Sequence, residues 1–342
     1  MNVDHVVVFR LGSLGDTVVS LPCWNRIAAR FQHSRRTLLT NIGGSAKVVG
    51  VPAVLEGSGF IHDLIEYPIG LRSPRRLFEL ARTLRTLNAD TLLYMAEPRG
   101  AASVYRDWAF FRACGFRNII GLPWRKDERE NRIDPVTGVV EYEALRLTRQ
   151  MSELGPFDLD DPAAWDLRLS AAEIAQGEAV TASFGNASFI GVNLGGKDAH
   201  KDWGQTNWEE LIARLSAALP GTGLLTVGAL ADSARSQALA RLWSGPFVNG
   251  CGMLSVRVCA AALTRASLLI GHDSGPLHLG AARGVACIGL FGAGNRPIKW
   301  HPYGARHRIL HRLEGMSAIS VQEVFDTATA LWHEERAVVE RV

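Results

Sequence analysis

Four short stretches combine glycine with charged or hydroxyl side chains directly after an apolar run. The richest, GHDSGPLHLG, brings together Asp273, Ser274, Gly275 and His278. Backbone amides and the positive dipole end at the start of a helix bind anions, and Pro276 is favourable in a first helical turn. The stretch therefore predicts a cradle for a phosphorylated ligand. The alternatives are an ordinary helix cap and, for His278, a partly buried core histidine.

Two further stretches carry groups suited to a nucleotide. In NLGGKDAHKDWG, Gly195 and Gly196 follow an apolar run and precede Lys197 and Lys201. Glycines let a phosphate approach the backbone, and the lysines supply positive charge. In TVGALAD, Asp232 is placed to receive ribose hydroxyls. The alternatives are a solvated lysine loop and an acid at the start of a helix, which the helix dipole favours.

The fourth stretch, FRLGSLGD, has Gly12 and Gly15 around a turn and Asp16 at the expected start of a helix. The glycines have GxxG spacing rather than the GxGxxG spacing of dinucleotide sites. A carboxylate at a strand end is able to deprotonate a hydroxyl nucleophile, so Asp16 is a candidate general base. The alternative is that Asp16 only caps the helix.

The elements that must position these residues alternate between strand and helix patterns in both halves of the chain. Apolar runs such as HVVVF, TLLY, FIGVN and SLLIG are followed by segments with helical spacing of apolar residues. This alternation predicts an α/β protein with two Rossmann-like parallel-sheet domains facing across a cleft, where ligands bind at the carboxyl ends of strands.

A chain of 342 residues favours two domains. We expect an acceptor-binding domain over residues 1–160 and a nucleotide-sugar-binding domain over 161–342, and the last helix is a candidate to pack back on the first domain.

The charge distribution predicts an anionic partner for the first domain. Residues 1–150 carry 21 Lys and Arg and 15 Asp and Glu, a net charge of +6, whereas the remainder carries 16 and 19, a net charge of −3. Arg72 and Arg99, near strand ends, and Gly15 are candidate acceptor contacts. Arg75 and Arg76 are further candidates for contact with an anionic acceptor, but a solvated helix face explains them almost equally well. No lysine-rich tract or recognition-helix pattern is present, so nucleic acid is not expected.

Cysteine usage and hydropathy limit the cellular setting. The five cysteines are scattered and never in CxxC spacing, which indicates free thiols in a reducing cytoplasm and argues against a zinc site or a disulfide framework. No stretch approaches the ~18 apolar residues of a membrane span. The segment MNVDHVVVFRLG has the pattern of a first strand rather than of a secretory signal.

Taken together, the four stretches resemble, in order and spacing, the ADP-heptose:lipopolysaccharide heptosyltransferase family (glycosyltransferase family nine), which has the two-domain GT-B architecture. The resemblance implies inverting, metal-independent transfer of a heptose or related sugar from a nucleotide diphosphate donor, ADP-heptose foremost, without a cofactor. The acceptor would be a hydroxyl of an anionic glycan or glycolipid, and a lipid acceptor would bring the cytoplasmic protein to the inner membrane surface. By position, Asp16 would be the base, Lys201 and the Asp273–Ser274–Gly275 turn would hold the diphosphate, His278 would support that turn, and Asp232 would bind the ribose.

The chain departs from the family pattern at several places. It has Lys-Asp-Trp-Gly where Lys-Arg-Trp-Pro is usual, and AGNRPIKW where the family has a Pro-Thr-Asp loop. Two other functions fit the residues. One is a nucleotide-sugar epimerase of the same fold, which needs further catalytic acids in the second domain, and the other is a catalytically degenerate binding protein. A redox enzyme is disfavoured because the dinucleotide fingerprint is missing.

Overall fold

The chain folds into two compact units, Met1–Arg168 and Leu169–Val342. The computed structural model describes residues 3–41, 49–68, 73–97, 100–196 and 198–339. Each unit is an α/β structure around one parallel sheet, as the alternating pattern predicted. The boundary between the two units lies after Arg168, whereas the sequence analysis placed it after residue 160.

The first unit contains a five-stranded parallel sheet with the order β3-β2-β1-β4-β5. Its strands are β1 (His5–Phe9), β2 (Arg35–Thr40), β3 (Asp63–Glu66), β4 (Thr91–Tyr94) and β5 (Asn118–Ile120). Its helices are α1 (Leu14–Val19), α2 (Leu21–Arg30), α3 (Pro52–Leu55), α4 (Pro74–Thr86), α5 (Ala101–Ala113), α6 (Lys126–Arg129) and α7 (Glu143–Gln150). The central strands β1 and β4 are buried along almost their whole length, as expected for strands covered by helices on both faces.

The segment after the first glycine turn forms two helices where the apolar spacing suggested one. The chain leaves α1 at Ser20 and begins α2 at Leu21, with Pro22 in its first turn. Proline has no N–H to donate, and its ring clashes with the carbonyl four residues earlier. A continuous helix through Pro22 is therefore disfavoured, while a new helix beginning there is not.

The second unit contains a six-stranded parallel sheet with the order β11-β10-β9-β6-β7-β8. Its strands are β6 (Phe189–Asn193), β7 (Gly223–Thr226), β8 (Phe247–Asn249), β9 (Leu268–His272), β10 (Cys287–Phe291) and β11 (Arg308–His311). Its helices are α8 (Ala171–Thr181), α9 (Gln205–Ala218), α10 (Ser233–Leu239), α11 (Val256–Leu263), α12 (Gly275–Ala282) and α13 (Val321–Val339).

The C-terminal helix α13 contributes to the core of the second unit. Its Val324, Ala328, Leu331 and Trp332 are buried in one cluster with Trp208 of α9 and with side chains of the sheet. The apolar stripe of this helix is thus used within its own unit. None of the helices in the described ranges is both long and apolar enough to cross a membrane. All five cysteines are buried free thiols.

Each sheet reverses its winding direction beside its first strand. In the first unit, β1 lies between β2 and β4, and in the second unit β6 lies between β7 and β9. The connections on either side of such a switch point run in opposite directions and leave a crevice at the carboxyl ends of the strands, where ligands of this fold class bind. FRLGSLGD follows β1, NLGGKD follows β6, and HDSGP follows β9. Three of the four stretches therefore lie at the switch points, and VGALAD follows the adjacent strand β7.

Candidate functional site

Asp16 lies in the first turn of α1 and is held through one of its two carboxylate oxygens. The helix begins at Leu14 with Ser13 as its N-cap, and the side chain of Asp16, the third helical residue, accepts the Ser13 backbone N–H in a capping box. Asp16 therefore takes part in capping the helix without being the N-cap residue itself. The Ser13 backbone N–H and hydroxyl both donate to Oδ2 of Asp16, each at 2.7 Å. Within the described ranges no hydrogen bond reaches Oδ1. The half-buried carboxylate is therefore fixed in orientation and presents one oxygen.

Gly12 gives the Asp16 side chain the room it occupies. A β-carbon on Gly12 would lie 2.7 Å from Cβ of Asp16, and the glycine has a φ of +154° that other residues rarely adopt. Its N–H donates to Oδ1 of Asn41 at 3.0 Å. Gly15, a predicted acceptor contact, lies beside Asp16 in the first turn of α1 and is partly exposed. The other two predicted acceptor contacts, Arg72 and Arg99, lie outside the described residues.

Arg10 connects the Asp16 turn to the neighbouring strand. Its side chain is only 2% exposed. Nη2 donates to the Asp16 carbonyl at 2.6 Å, and Nη1 donates to the Met95 carbonyl, directly after β4, at 2.8 Å. Burial lowers the pKa of Arg10, and the negative charges of Asp16 and Glu143 oppose that shift. The guanidinium thus ties the two sides of the switch point together.

In the second unit, Lys201 and Asp273 form an ion pair across the other switch point. Lys201 ends a short 3-10 helix after β6, and Asp273 directly follows β9. Nζ of Lys201 lies 2.6 Å from Oδ2 of Asp273. The Asn295 side-chain amide donates to the same oxygen. The Asp273 carboxylate therefore holds Lys201 and Asn295 in position, and a carboxylate engaged in this way is not itself a ligand for an anion.

The Ser274–Gly275 turn begins helix α12 beside that ion pair. Ser274 is the N-cap, and its hydroxyl donates to Oδ1 of Asn193, the last residue of β6, at 2.5 Å. Asn193 in turn donates to the Val227 carbonyl at 2.9 Å. The first N–H groups of a helix have no acceptor within the helix, so α12 presents free amides and a positive dipole end next to the Lys201 ammonium. This combination of groups suits an anion such as a diphosphate.

Buried histidines support the site. His278 lies one turn into α12 and is buried. His272 ends β9, and its Nε2 accepts a hydrogen bond from the Trp203 N–H at 3.1 Å. Burial lowers the pKa of His272 to about 4. Burial and the neighbouring His311 likewise lower the pKa of His301 to about 4. At neutral pH the His272 and His301 imidazoles are uncharged and serve as packing and hydrogen-bonding groups.

Asp232 lies against the two glycines that follow β6 and β7. Its Oδ2 accepts the Ala229 N–H at 2.9 Å. A β-carbon on Gly195 would lie 2.2 Å from that oxygen, and one on Gly228 would lie 2.8 Å from it. A β-carbon on Gly196 would lie 3.2 Å from Cβ of Lys201. The glycines predicted to admit a phosphate therefore also make room for the Asp232 carboxylate and the Lys201 side chain.

The structure gathers the predicted donor residues at the carboxyl edge of the second sheet. These residues are Gly195, Gly196, Lys201, Asp232, Asp273, Ser274, Gly275 and His278. Among the described residues, no group of three or more His, Cys, Asp and Glu side chains is arranged to hold a metal ion.

Sequence reasoning missed three residues that organise the two sites. Arg10 and Asn193 are each a polar residue at the end of an apolar strand, and that position was the available signal. Asn295 lies in a loop that the sequence marked only as a departure from the family pattern.

Comparison with known families gives a clear match. The model of glycosyltransferase family 9 (heptosyltransferase) matches residues 77–326, well over half of the chain. No curated protein matches this chain closely enough in sequence to count as a relative.

Solved structures similar to this chain share its fold. A glycosyltransferase family 9 protein from Veillonella parvula has a TM-score of 0.72 and 22% identity, over 98% of this chain and 99% of the other. The E. coli ADP-heptose lps heptosyltransferase II has a TM-score of 0.66 and 15% identity, over 97% and 99%. E. coli heptosyltransferase WaaC with ADP-2-deoxy-2-fluoro heptose has a TM-score of 0.63 and 14% identity, over 95% and 99%. These likenesses establish a GT-B-like fold with two parallel-sheet domains, and the family match identifies the chain as a member of glycosyltransferase family 9 and hence a glycosyltransferase.

Proposed function

We propose that this glycosyltransferase moves a heptose from ADP-heptose to a hydroxyl of an anionic glycan or glycolipid, with inversion at the anomeric carbon and without a metal ion. The observation that carries the proposal is the complementary chemistry of the two switch points. One holds a carboxylate with an open oxygen, and the other holds an ammonium beside the free amides of a helix. The family description and the ADP-heptose analogue in the E. coli WaaC structure support heptose and ADP as parts of the donor.

In the donor site, the diphosphate would bind to the first amides of α12 and to Lys201. Charge-assisted hydrogen bonds from an ammonium and from helix amides are the strong contacts for phosphate oxygens. Asp273 would act indirectly by keeping the Lys201 ammonium in place, since the two groups are 2.6 Å apart. Asp232 would accept hydrogen bonds from the ribose hydroxyls.

In the transfer step, the acceptor hydroxyl oxygen would form a bond to the anomeric carbon as the bond from that carbon to the diphosphate breaks. Oδ1 of Asp16 would take the hydroxyl proton, because Oδ2 is engaged by Ser13. Attack opposite to the leaving group gives inversion. The negative charge that develops on the departing diphosphate would be stabilised by Lys201 and the α12 amides, which are positioned before the reaction.

Lys201 and the helix dipole would supply the charge compensation that a divalent cation supplies in other transferases. We therefore expect the rate of sugar transfer to be unchanged when EDTA is added to the assay. The measurement is ADP release from ADP-heptose in the presence of a heptose-free lipopolysaccharide acceptor. Activity lost with EDTA and restored by magnesium would contradict metal independence.

The acceptor would contact the first unit, in which residues 1–150 carry a net charge of +6. The predicted acceptor contacts Arg72 and Arg99 suit carboxylate or phosphate groups of a sugar, and exposed contacts of this kind are screened over a Debye length of ~8 Å at physiological ionic strength. A glycolipid acceptor would bring the protein to the inner membrane surface as a peripheral protein.

A further inference from the structure

The outer surface of the first unit carries large aromatic side chains that the core does not use. Phe78 of α4 is 65% exposed, Tyr105 and Trp108 of α5 are 63% and 41% exposed, and Trp124, after β5, is 45% exposed. The Tyr105 and Trp124 ring centroids lie 5.3 Å apart, and those of Trp108 and Trp124 lie 6.1 Å apart. Single exposed apolar residues are ordinary, but a contiguous exposed group marks an interaction surface.

Helices α4 and α5 pack on the same face of the sheet, so their outer sides form one surface. Leu80 and Leu84 of α4 and Val104 and Phe111 of α5 are buried in a single core cluster. The Arg85 side chain of α4 also donates two hydrogen bonds to the last carbonyl of α5. We call this surface the α4–α5 face and define it by Arg76, Phe78, Arg82, Tyr105, Trp108 and Trp124.

The charge on the two helices is strongly one-sided. They carry six arginines (Arg75, Arg76, Arg82, Arg85, Arg106 and Arg112) and two acids. Glu79 is paired with Arg75, and the buried Asp107 accepts hydrogen bonds from Tyr94 and Arg106. Within the described ranges, Arg76 and Arg82 make no ion pair or hydrogen bond. Solvent therefore meets an excess of positive charge around exposed aromatic rings.

We propose that the α4–α5 face docks the protein on the surface of an anionic lipid bilayer. Tryptophan and tyrosine are enriched at membrane–water interfaces because their rings are apolar at one end and polar at the other. Arginines beside them bind anionic headgroups. The strength of peripheral binding increases with the apolar area buried in the interface and with the electrostatic attraction to anionic lipids. A free anionic glycan would also pair with the arginines and stack its sugar rings on the aromatic side chains, so binding to a lipid-free glycan is the competing outcome of the test.

This inference extends the proposed function, which has a glycolipid as one acceptor class, but its test requires no turnover. The 342-residue protein is mixed with vesicles of phosphatidylglycerol and phosphatidylcholine, or of phosphatidylcholine alone, and the bound fraction is measured by flotation. We expect binding to the anionic vesicles only, decreasing as salt is added. Donor binding and sugar transfer are measured with the same preparation, so that a failure of the proposed function is distinguished from a failure of vesicle binding.

Two double variants separate the aromatic and basic contributions. Trp108→Ser with Trp124→Ser removes rings, and Arg76→Glu with Arg82→Glu reverses charge. Each basic residue near an anionic surface contributes about fivefold in affinity, so we expect the charge variant to weaken vesicle binding by at least tenfold. The matched control is Arg241→Glu with Leu242→Ser, an exposed pair of similar chemistry in the second unit, which should bind like the unmodified protein.

A second measurement detects contact between the tryptophan rings and the lipid directly and does not rely on a loss of vesicle binding. Brominated phosphatidylglycerol should quench tryptophan fluorescence of the bound protein, and the Trp108→Ser, Trp124→Ser variant should lose most of that quenching. Circular dichroism and donor affinity of both variants should match the unmodified protein. The proposal is wrong if the unmodified protein ignores anionic vesicles, if both variants bind them fully, or if the variants lose binding to a lipid-free anionic glycan instead.

Discussion

Asp16→Asn is expected to lower the turnover number by about 10²–10⁴-fold, the usual contribution of a positioned general base. An amide has almost the shape of the carboxylate but cannot take up the acceptor proton. The amide oxygen can still accept the two hydrogen bonds from Ser13 that hold this side chain. The melting temperature and the donor affinity should therefore stay close to those of the unmodified protein.

The measurement is kcat for sugar transfer beside a thermal unfolding curve and a donor titration of the same protein. Ser13→Ala is the matched control, because it removes the hydroxyl donor at 2.7 Å but leaves the carboxylate. Its loss of kcat should be much smaller than that of Asp16→Asn. A marked drop in melting temperature with only a mild kinetic loss in Asp16→Asn would make Asp16 a structural residue of the helix start.

Lys201→Ala should weaken binding of the nucleotide-sugar donor by roughly 10–100-fold, since hydrogen bonds to charged groups contribute about 1.5–3 kcal/mol. The substitution removes an ammonium from the diphosphate site. It also leaves Asp273 without the partner that lies 2.6 Å away, so the carboxylate would repel the diphosphate. The acceptor KM should change far less than the donor dissociation constant.

Calorimetric titration with ADP and with ADP-heptose measures this effect. The informative control adds Asp273→Asn to Lys201→Ala, because removing the stranded negative charge should restore part of the affinity, and residues in direct contact give non-additive effects of this kind. An unchanged donor affinity in Lys201→Ala would remove Lys201 from the donor site. Strictly additive effects of the two substitutions would show that Asp273 does not act through Lys201.

The sheets and the glycine turns could be predicted because their signals are local. Buried apolar runs such as FIGVN form strands, and a glycine with a polar neighbour marks the point where each strand ends. Helix α5 gave no clear pattern, since exposed Tyr105 and Trp108 on its outer side hide the apolar periodicity. The edge strand β11 has the sequence RILH and is only half-buried along its length, so it lacks the alternation or the continuous apolar run that identifies a strand.

The candidate site residues could be named from the sequence, but their partners could not. Lys201 and Asp273 are separated by 72 residues, and Asn193 and Ser274 by 81. Their pairing depends on β6 and β9 being neighbours in the sheet, which is a property of the topology. For the same reason the contacts of the Asp273 carboxylate with Lys201 and Asn295 could not be foreseen, and the role of the Asp273–Ser274–Gly275 turn at the diphosphate stays a prediction. Arg10 was overlooked because its two carbonyl partners lie in separate segments, Asp16 in α1 and Met95 directly after β4.

The most direct test of the proposed transfer reaction uses ADP-heptose labelled in the sugar, in EDTA, with and without a heptose-free lipopolysaccharide acceptor. We expect ADP release and label transfer to occur together, only when the acceptor is present, and we expect the product to have the opposite anomeric configuration to the donor. Conversion of the donor to an epimer without any acceptor would contradict this expectation and would identify the protein as an epimerase.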